Sequence, residues 1–172
     1  ESSPYNPYMH YGKSKMMMER VVRTFSQSYG LDTTIIRSCW FYGPHQPERQ
    51  TRFFKLVKDG LFPLMAGGFN RRSLSYVDDI CQGLLLRAQH PVSRGQTYWI
   101  ASEEAYAMRD IVSTVGLVLS QEFGLSVKPP RLLIPGFGCD MAYCADTIIQ
   151  GLGLYNQEVH VLSEMNRTIA CS

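Results

Sequence analysis

Across its 172 residues the chain has no apolar run near the roughly 20 residues needed to cross a bilayer. Its opening, Glu1-Ser2-Ser3-Pro4-Tyr5-Asn6-Pro7, has no basic stretch followed by an apolar core, so it does not read as a secretion signal. Excess charge is small: the formal net charge is +2, and the basic residues are not clustered among aromatics. That excludes the electrostatic footprint of a nucleic-acid binder and leaves no reason to expect a membrane surface as partner. No Cys-x-x-Cys occurs among Cys39, Cys81, Cys139, Cys144 and Cys171, and no His and Cys spacing suits zinc, so no metal site is expected. An odd cysteine count without a secretion signal reads as reduced, mostly buried thiols in a cytoplasmic protein. The glycosylation sequon Asn166-Arg167-Thr168 is then a chance occurrence. A Gly-x-Ser-x-Gly elbow is missing, which removes one family of serine hydrolases. There is no internal repeat, no low-complexity tract and no initial Met. The abrupt start predicts a fragment of a longer chain.

What is present fits one folded domain, with 45% hydrophobic and 19% charged residues. Residues 1–10, rich in Pro and Ser, read as a loop. From Tyr11 to Tyr29 the positions Met18, Val21, Val22, Phe25 and Tyr29 recur at helical spacing, and Gly30 stops the helix. The run Met16-Met17-Met18 reads as packing. Residues 33–39 are β-branched and short, as a buried strand is. A turn-rich loop runs from Tyr42 to Gln50, a helix from Thr51 to Asp59, and two strands, 62–66 and 73–77, flank a turn at Gly67-Gly68-Phe69-Asn70. Asp78 is placed to cap a helix ending near Gln89. A strand over 96–101, an amphipathic helix over 108–123, an extended Pro-rich stretch over 127–135, and helices over 140–150 and 158–167 complete the chain. Helices alternating with short strands predict an α/β fold.

The most informative pattern is Tyr11-Gly12-Lys13-Ser14-Lys15. Positions i and i+4 of a helix lie one turn apart on one face. A Tyr hydroxyl is a weak base at neutral pH, with an unperturbed pKa of about 10, and a nearby ammonium favours its anion. Such a pair can move a proton to or from a substrate hydroxyl, which points to redox chemistry at a carbinol carbon. His10 and His45 have no motif-level partner and stay outside the candidate site.

The surroundings of this pair carry a resemblance. Glu1-Ser2-Ser3-Pro4-Tyr5-Asn6-Pro7, then Tyr11-x-x-x-Lys15, then Glu19, resembles the middle of the extended short-chain dehydrogenases/reductases, of NAD-dependent epimerase/dehydratase type. Three later blocks follow in the family's order: Arg37-Ser38-Cys39-Trp40-Phe41-Tyr42-Gly43-Pro44, Arg72-Ser73-Leu74-Ser75-Tyr76-Val77-Asp78-Asp79, and Gly95-Gln96-Thr97-Tyr98-Trp99-Ile100-Ala101. The resemblance implies the C-terminal part of a Rossmann-type doubly wound parallel sheet plus a small α/β substrate lobe. Residues 1–45 then belong to the dinucleotide-binding domain, 46–72 and 102–172 to the substrate lobe, and 73–101 return to the first domain. It implies NAD or NADP as cofactor and a nucleotide sugar as substrate. Tyr11 is then the acid/base, and Lys15 supports it and bonds the nicotinamide ribose. Backbone groups at Phe41, Tyr42 and Gly43 meet the carboxamide. Arg72 pairs with a substrate phosphate, unless Arg71 takes that role, because a guanidinium fork suits phosphate oxygens. A homodimer through the helix Tyr11 to Tyr29 is implied as well.

The resemblance also shows gaps. The chain has no GxGxxG or GxxGxxG turn to meet a pyrophosphate, and Gly136-Phe137-Gly138 and Gly151-Leu152-Gly153 each lack a third Gly and a preceding strand. The family's Ser or Thr falls upstream of Glu1. The expectation is a C-terminal half or internal piece that alone binds cofactor poorly and is inactive. Two alternatives remain: a sterol or other apolar-alcohol dehydrogenase of the same family, with Trp40-Phe41-Tyr42 and residues 132–137 lining its pocket, and a non-catalytic NAD(P)-binding regulator.

Overall fold

The structure is a computed structural model that describes residues 5–7, 9–165 and 167–171. The Glu1 to Pro4 part of the first family block and Asn166 of the sequon lie outside the described residues. In chain order the elements are α1 (Met9–Tyr29), β1 (Ile35–Ser38), β2 (Trp40–Tyr42), α2 (Glu48–Lys58), β3 (Leu64–Met65), β4 (Arg71–Tyr76), α3 (Val77–Gln89), β5 (Thr97–Ile100), β6 (Ala105–Ala107), α4 (Met108–Gln121), β7 (Leu133–Ile134), α5 (Gly136–Gly151) and α6 (Gln157–Met165). The alternation expected from the sequence is thus present, and every sheet contains a parallel pair.

The chain divides into two compact units. The first comprises residues 1–38 and 78–100. Here β1 and β5 pair in parallel, Ile35 opposite Thr97 through Ser38 opposite Ile100. Helix α3 lies close against β5: a Cβ on Gly83 would fall 2.2 Å from Ile100 Cδ1, so a larger residue there would have to displace the Ile100 side chain. Helix α1 starts two residues before its expected position. Its apolar stripe is largely exposed at Met18, Val21, Phe25 and Tyr29, and Met17, from the run expected to pack, is exposed with it. Burial on this helix falls instead on a carboxylate, Glu19.

The second unit comprises residues 39–77 and 101–172. Its three-stranded sheet runs β2-β4-β6, with β2 parallel and β6 antiparallel to β4. Val57, Leu64, Met108 and Val112 form its buried core, with Trp40, Phe53, Phe62 and Val115 packed against it. Phe53 stands edge-on to Trp40 and Phe62, at centroid distances of 5.1 and 4.9 Å, the arrangement that ring quadrupoles favour. Helices α5 and α6 pack as a pair.

Several elements differ from the sequence reading. Residues 35–42 form two strands broken at Cys39, whose N–H goes to the Ser75 hydroxyl at 3.0 Å. The strands on either side of the Gly67 turn do not pair with each other: β3 pairs in parallel with β7, whereas β4 sits between β2 and β6. Gly67 and Gly68 both take positive φ, and a Cβ on Gly68 would press on Arg109 at 2.9 Å, so the turn folds onto the start of α4 instead of closing a hairpin. Strand β6 was not expected, and α3 begins at Val77, which puts Asp78 and Asp79 inside its first turn, where acidic groups suit the helix dipole. Of the cysteines only Cys139 is buried; Cys81 and Cys144 are exposed. Among the described residues no helix is long and apolar enough to cross a membrane, and no cluster of three or more His, Cys, Asp or Glu could hold a metal.

Leu64 lies at the centre of the second unit's core. Leu64→Ala should lower unfolding free energy by about 2–5 kcal/mol, read as an earlier urea midpoint with an unchanged slope.

Candidate active site

Tyr11 and Lys15 lie in the first two turns of α1. The Lys15 ammonium stands 5.5 Å from the Tyr11 ring centroid, within cation–π range, and Tyr11 is 62% exposed. The Ser14 hydroxyl donates to the Tyr11 carbonyl at 2.8 Å, which ties down the backbone between them. At Gly12 a Cβ would meet the Pro7 backbone at 3.2 Å, so its absence lets the preceding loop lie against the helix.

Glu19 holds this helix in place. Arg37, on β1, donates to both of its carboxylate oxygens, Nε to Oε1 at 2.8 Å and an Nη2 hydrogen to Oε2 at 2.6 Å. The Tyr5 hydroxyl donates to Oε2 at 2.7 Å. The Arg37 guanidinium lies 5.4 Å from the Tyr5 ring and 5.2 Å from the Trp99 ring. The bonds from Arg37 outweigh burial and, with Tyr5, hold the Glu19 carboxyl below its usual range. Arg23 adds a second tie, donating to Thr97 Oγ1 on β5 at 2.5 Å. Glu19 appears in the sequence only as a motif letter four residues after Lys15. That repeated spacing on one helix face was the available signal for its anchoring role.

The other candidate residues belong to the second unit. Phe41 and Tyr42 are partly exposed at the end of β2, opposite Ser75 and Tyr76. Tyr42 packs against Tyr76 at 5.4 Å between centroids. Gly43 has φ 143°, and a Cβ there would fall 2.4 Å from Val77 Cγ1, so no other residue fits. Within its sheet β2 is an edge strand, and its outer backbone groups can meet an amide. Trp40 is partly buried and packs against the core beside Phe53.

Arg71 and Arg72 point to opposite faces of β4. Arg71 is exposed and donates from Nε to the Ala105 carbonyl at 2.9 Å. Arg72 is half-buried and donates to the Glu164 carbonyl at 2.9 Å, at the end of α6. Burial pushes its guanidinium pKa down, and the Glu164 carboxylate opposes that. Asn70, just before β4, donates to the next carbonyl, Met165, at 2.8 Å, so two side chains from this stretch cap α6.

Beneath that cap lies a polar cluster that sequence reasoning missed. Asp146 is fully buried and accepts from Gln150 Nε2 at 2.9 Å and from Ser163 Oγ at 3.2 Å; His160 Nδ1 is 2.8 Å from its Oδ2. Burial pushes the Asp146 carboxyl up, but these bonds outweigh it and hold it below its usual range. The cluster joins α5 to α6.

The pattern of the NAD dependent epimerase/dehydratase family matches residues 1–101, and the chain belongs to that family. It is 47% identical over 172 residues to the uncharacterized protein y4nL of Sinorhizobium fredii, covering 99% of this chain and 48% of that protein. It is 26% identical over 151 residues to an Escherichia coli O157:H7 N-acetyl-α-D-glucosaminyl-diphospho-ditrans,octacis-undecaprenol 4-epimerase, covering 86% of this chain and 44% of the enzyme. Among solved structures it resembles the dTDP-glucose 4,6-dehydratase DesIV of Streptomyces venezuelae, with NAD and TYD bound. The TM-score is 0.62 at 25% identity, over 100% of this chain and 49% of DesIV. The chain therefore spans about half the length of the relatives it matches.

Glu19 loses its charge in Glu19→Gln while Arg37 keeps its own. The variant should lose about 3 kcal/mol of stability at pH 7. Because the folded-state pKa of Glu19 is depressed, its contribution is present above the unfolded value near 4.5 and is lost as pH falls through the folded value. Acid titration of unfolding free energy should thus show a drop below about pH 4.5 that is smaller in the Gln variant.

Proposed function

We propose that the chain carries the proton-transfer and substrate-phosphate residues of an NAD(P)-dependent epimerase or dehydratase acting on a nucleotide sugar. The observation that carries this reading is the exposed Tyr11 hydroxyl with the Lys15 ammonium beside its ring, on a helix locked by Glu19 and Arg37. Tyr11 takes the proton of a sugar hydroxyl while the hydrogen on the same carbon leaves as hydride, and it returns the proton when the carbonyl is reduced. The Lys15 cation stabilises the negative charge on the Tyr11 oxygen and, with its remaining hydrogens, bonds ribose hydroxyls. A bound nicotinamide supplies the two-electron acceptor and donor for that hydride. NAD and NADP both fit the groups on this chain: the residues that meet the nicotinamide end are Tyr11, Lys15 and the backbone of Phe41, Tyr42 and Gly43. No glycine-rich turn for the pyrophosphate occurs in the sequence.

Arg72 is the phosphate ligand in this reading. Arg71 puts two guanidinium hydrogens on the Ala105 carbonyl, whereas Arg72 uses one on α6 and keeps its other donors for phosphate oxygens. Residues 1–45 and 73–101 are then assigned to the dinucleotide-binding domain, and 46–72 with 102–172 to the substrate lobe. The similarity to an epimerase and to a dehydratase supports the reaction class. The exposed stripe Met18, Val21 and Phe25 on α1 supports a homodimer contact through that helix.

In the intact protein, Tyr11→Phe should lower kcat on a nucleotide sugar by about 10²- to 10⁴-fold with an unchanged melting curve, since the hydroxyl is exposed. Retention of full turnover sinks the acid/base role. Arg72→Ala should raise KM by roughly 10- to 100-fold with a smaller change in kcat. An unchanged KM with lost stability would leave Arg72 as a helix cap alone.

A further inference from the structure

Two cysteines that the reading above does not use meet at the sheet of the second unit. Strand β4 presents Ser73 and Ser75 on one face, two residues apart, and both are 1% exposed. The Ser75 hydroxyl accepts the Cys39 N–H at 3.0 Å, and the Ser73 hydroxyl accepts the Cys171 N–H at 3.0 Å. Ile169 bridges Arg72 in parallel, its N–H going to Arg71 O and its carbonyl accepting from Ser73 N–H. Strand β6 takes the other edge of β4 from Arg71 to Ser73. The segment leading to Cys171 therefore lies on the edge that β2 takes over from Leu74 onward. Two chain segments distant in sequence are brought end to end on one edge of β4, with Cys39 and Cys171 at the junction, their N–H groups held by hydroxyls two residues apart. Both are free thiols, each half-buried.

We propose that Cys39 and Cys171 are a disulfide-forming pair that staples the segment after α6 to the start of β2. The chemistry needs a two-electron oxidant, and a low-molecular-weight disulfide suffices. The Cys171 thiolate attacks that disulfide, forming a Cys171 mixed disulfide and releasing one thiolate. Cys39 then gives up its proton and attacks the Cys171 sulfur, forming the Cys39–Cys171 bond and expelling the second small thiol. Two protein thiols are oxidised and one small disulfide is reduced to two thiols. The order follows from the surroundings: burial and the adjoining Cys171 push the Cys39 thiol up to about 12, so it is the resolving group and not the first attacker. The staple adjoins Trp40, from which β2 leads to Phe41, Tyr42 and Gly43. The pairing itself does not depend on any role of those residues.

The test is to treat the folded intact protein with oxidised glutathione, block remaining thiols with iodoacetamide, and map the peptides by mass spectrometry. The expected product is a Cys39–Cys171 linked peptide pair, lighter by two hydrogens and abolished by dithiothreitol. Exposed Cys81 and Cys144 should instead carry glutathione or the alkyl group. Cys39→Ser should stop at a stable glutathione adduct on Cys171, with the variant's melting curve checking that it is folded. Recovery of Cys39 as an alkylated thiol beside a glutathionylated Cys171 in the wild-type protein overturns the proposal. So does a predominant linkage between any other pair.

Discussion

The geometry of α1 depends on one ion pair, Glu19 with Arg37. A carboxylate taken out of water is costly unless its oxygens are fully bonded. Here both oxygens are held by a two-point guanidinium contact and one of them by Tyr5 as well. The alternatives open to α1 are poorer, because any rotation about its axis would strand a buried charge. That rigidity sets the orientation of everything four residues at a time. Each such step turns a helix by about 40°, so the stripe Glu19, Lys15, Tyr11 winds from the strand surface toward solvent. The exposure of Tyr11 follows from the burial of Glu19 two steps away.

In the second unit the corresponding constraint is β4. It takes β2 and Ile169 on one edge and β6 on the other. Its side chains then satisfy backbone groups that strand pairing leaves over: Ser73 and Ser75 take N–H groups, and Arg72, with Asn70 just before the strand, gives hydrogens to carbonyls at the end of α6. An unmade buried hydrogen bond costs more than a made one contributes. Small hydroxyls at alternating buried positions suit this work, because each can accept without filling the space a larger side chain would need.

What could be read from the sequence divides along the range of the interactions involved. The α/β class was legible because alternating helix and strand periodicities are local signals. The adjacency of Tyr11 and Lys15 was legible because it is an i, i+4 relation. The Glu19–Arg37 pair, the break of the strand at Cys39 and the cap on α6 were not, because each joins residues far apart in sequence and no period marks them. The apolar stripe on α1 was legible only as a stripe: periodicity shows that a face is apolar, not what covers it. The Asp146 cluster was half visible, with Asp146 and Gln150 one turn apart on α5, and His160 and Ser163 one turn apart on α6. Only the packing of the two helices converts two polar pairs into one buried network.

In the proposed reading Arg72 holds a structural and a chemical role on one side chain. A guanidinium carries five hydrogens in a planar fork. One of them is used on the Glu164 carbonyl, and this bond fixes the plane of the group before any ligand arrives. A lysine at the same position would have to choose, since its single ammonium has no second, pre-aimed edge. Burial disfavours the Arg72 charge and the nearby Glu164 carboxylate favours it, so the cation is retained at a site with little water to compete for it. An anion bonded to the remaining edge would meet a charge already oriented and partly desolvated, which is the condition under which a charge-assisted bond is worth most. The cap on α6 and the Asp146 network behind it are therefore part of what would make Arg72 a phosphate ligand, and not a separate structural matter.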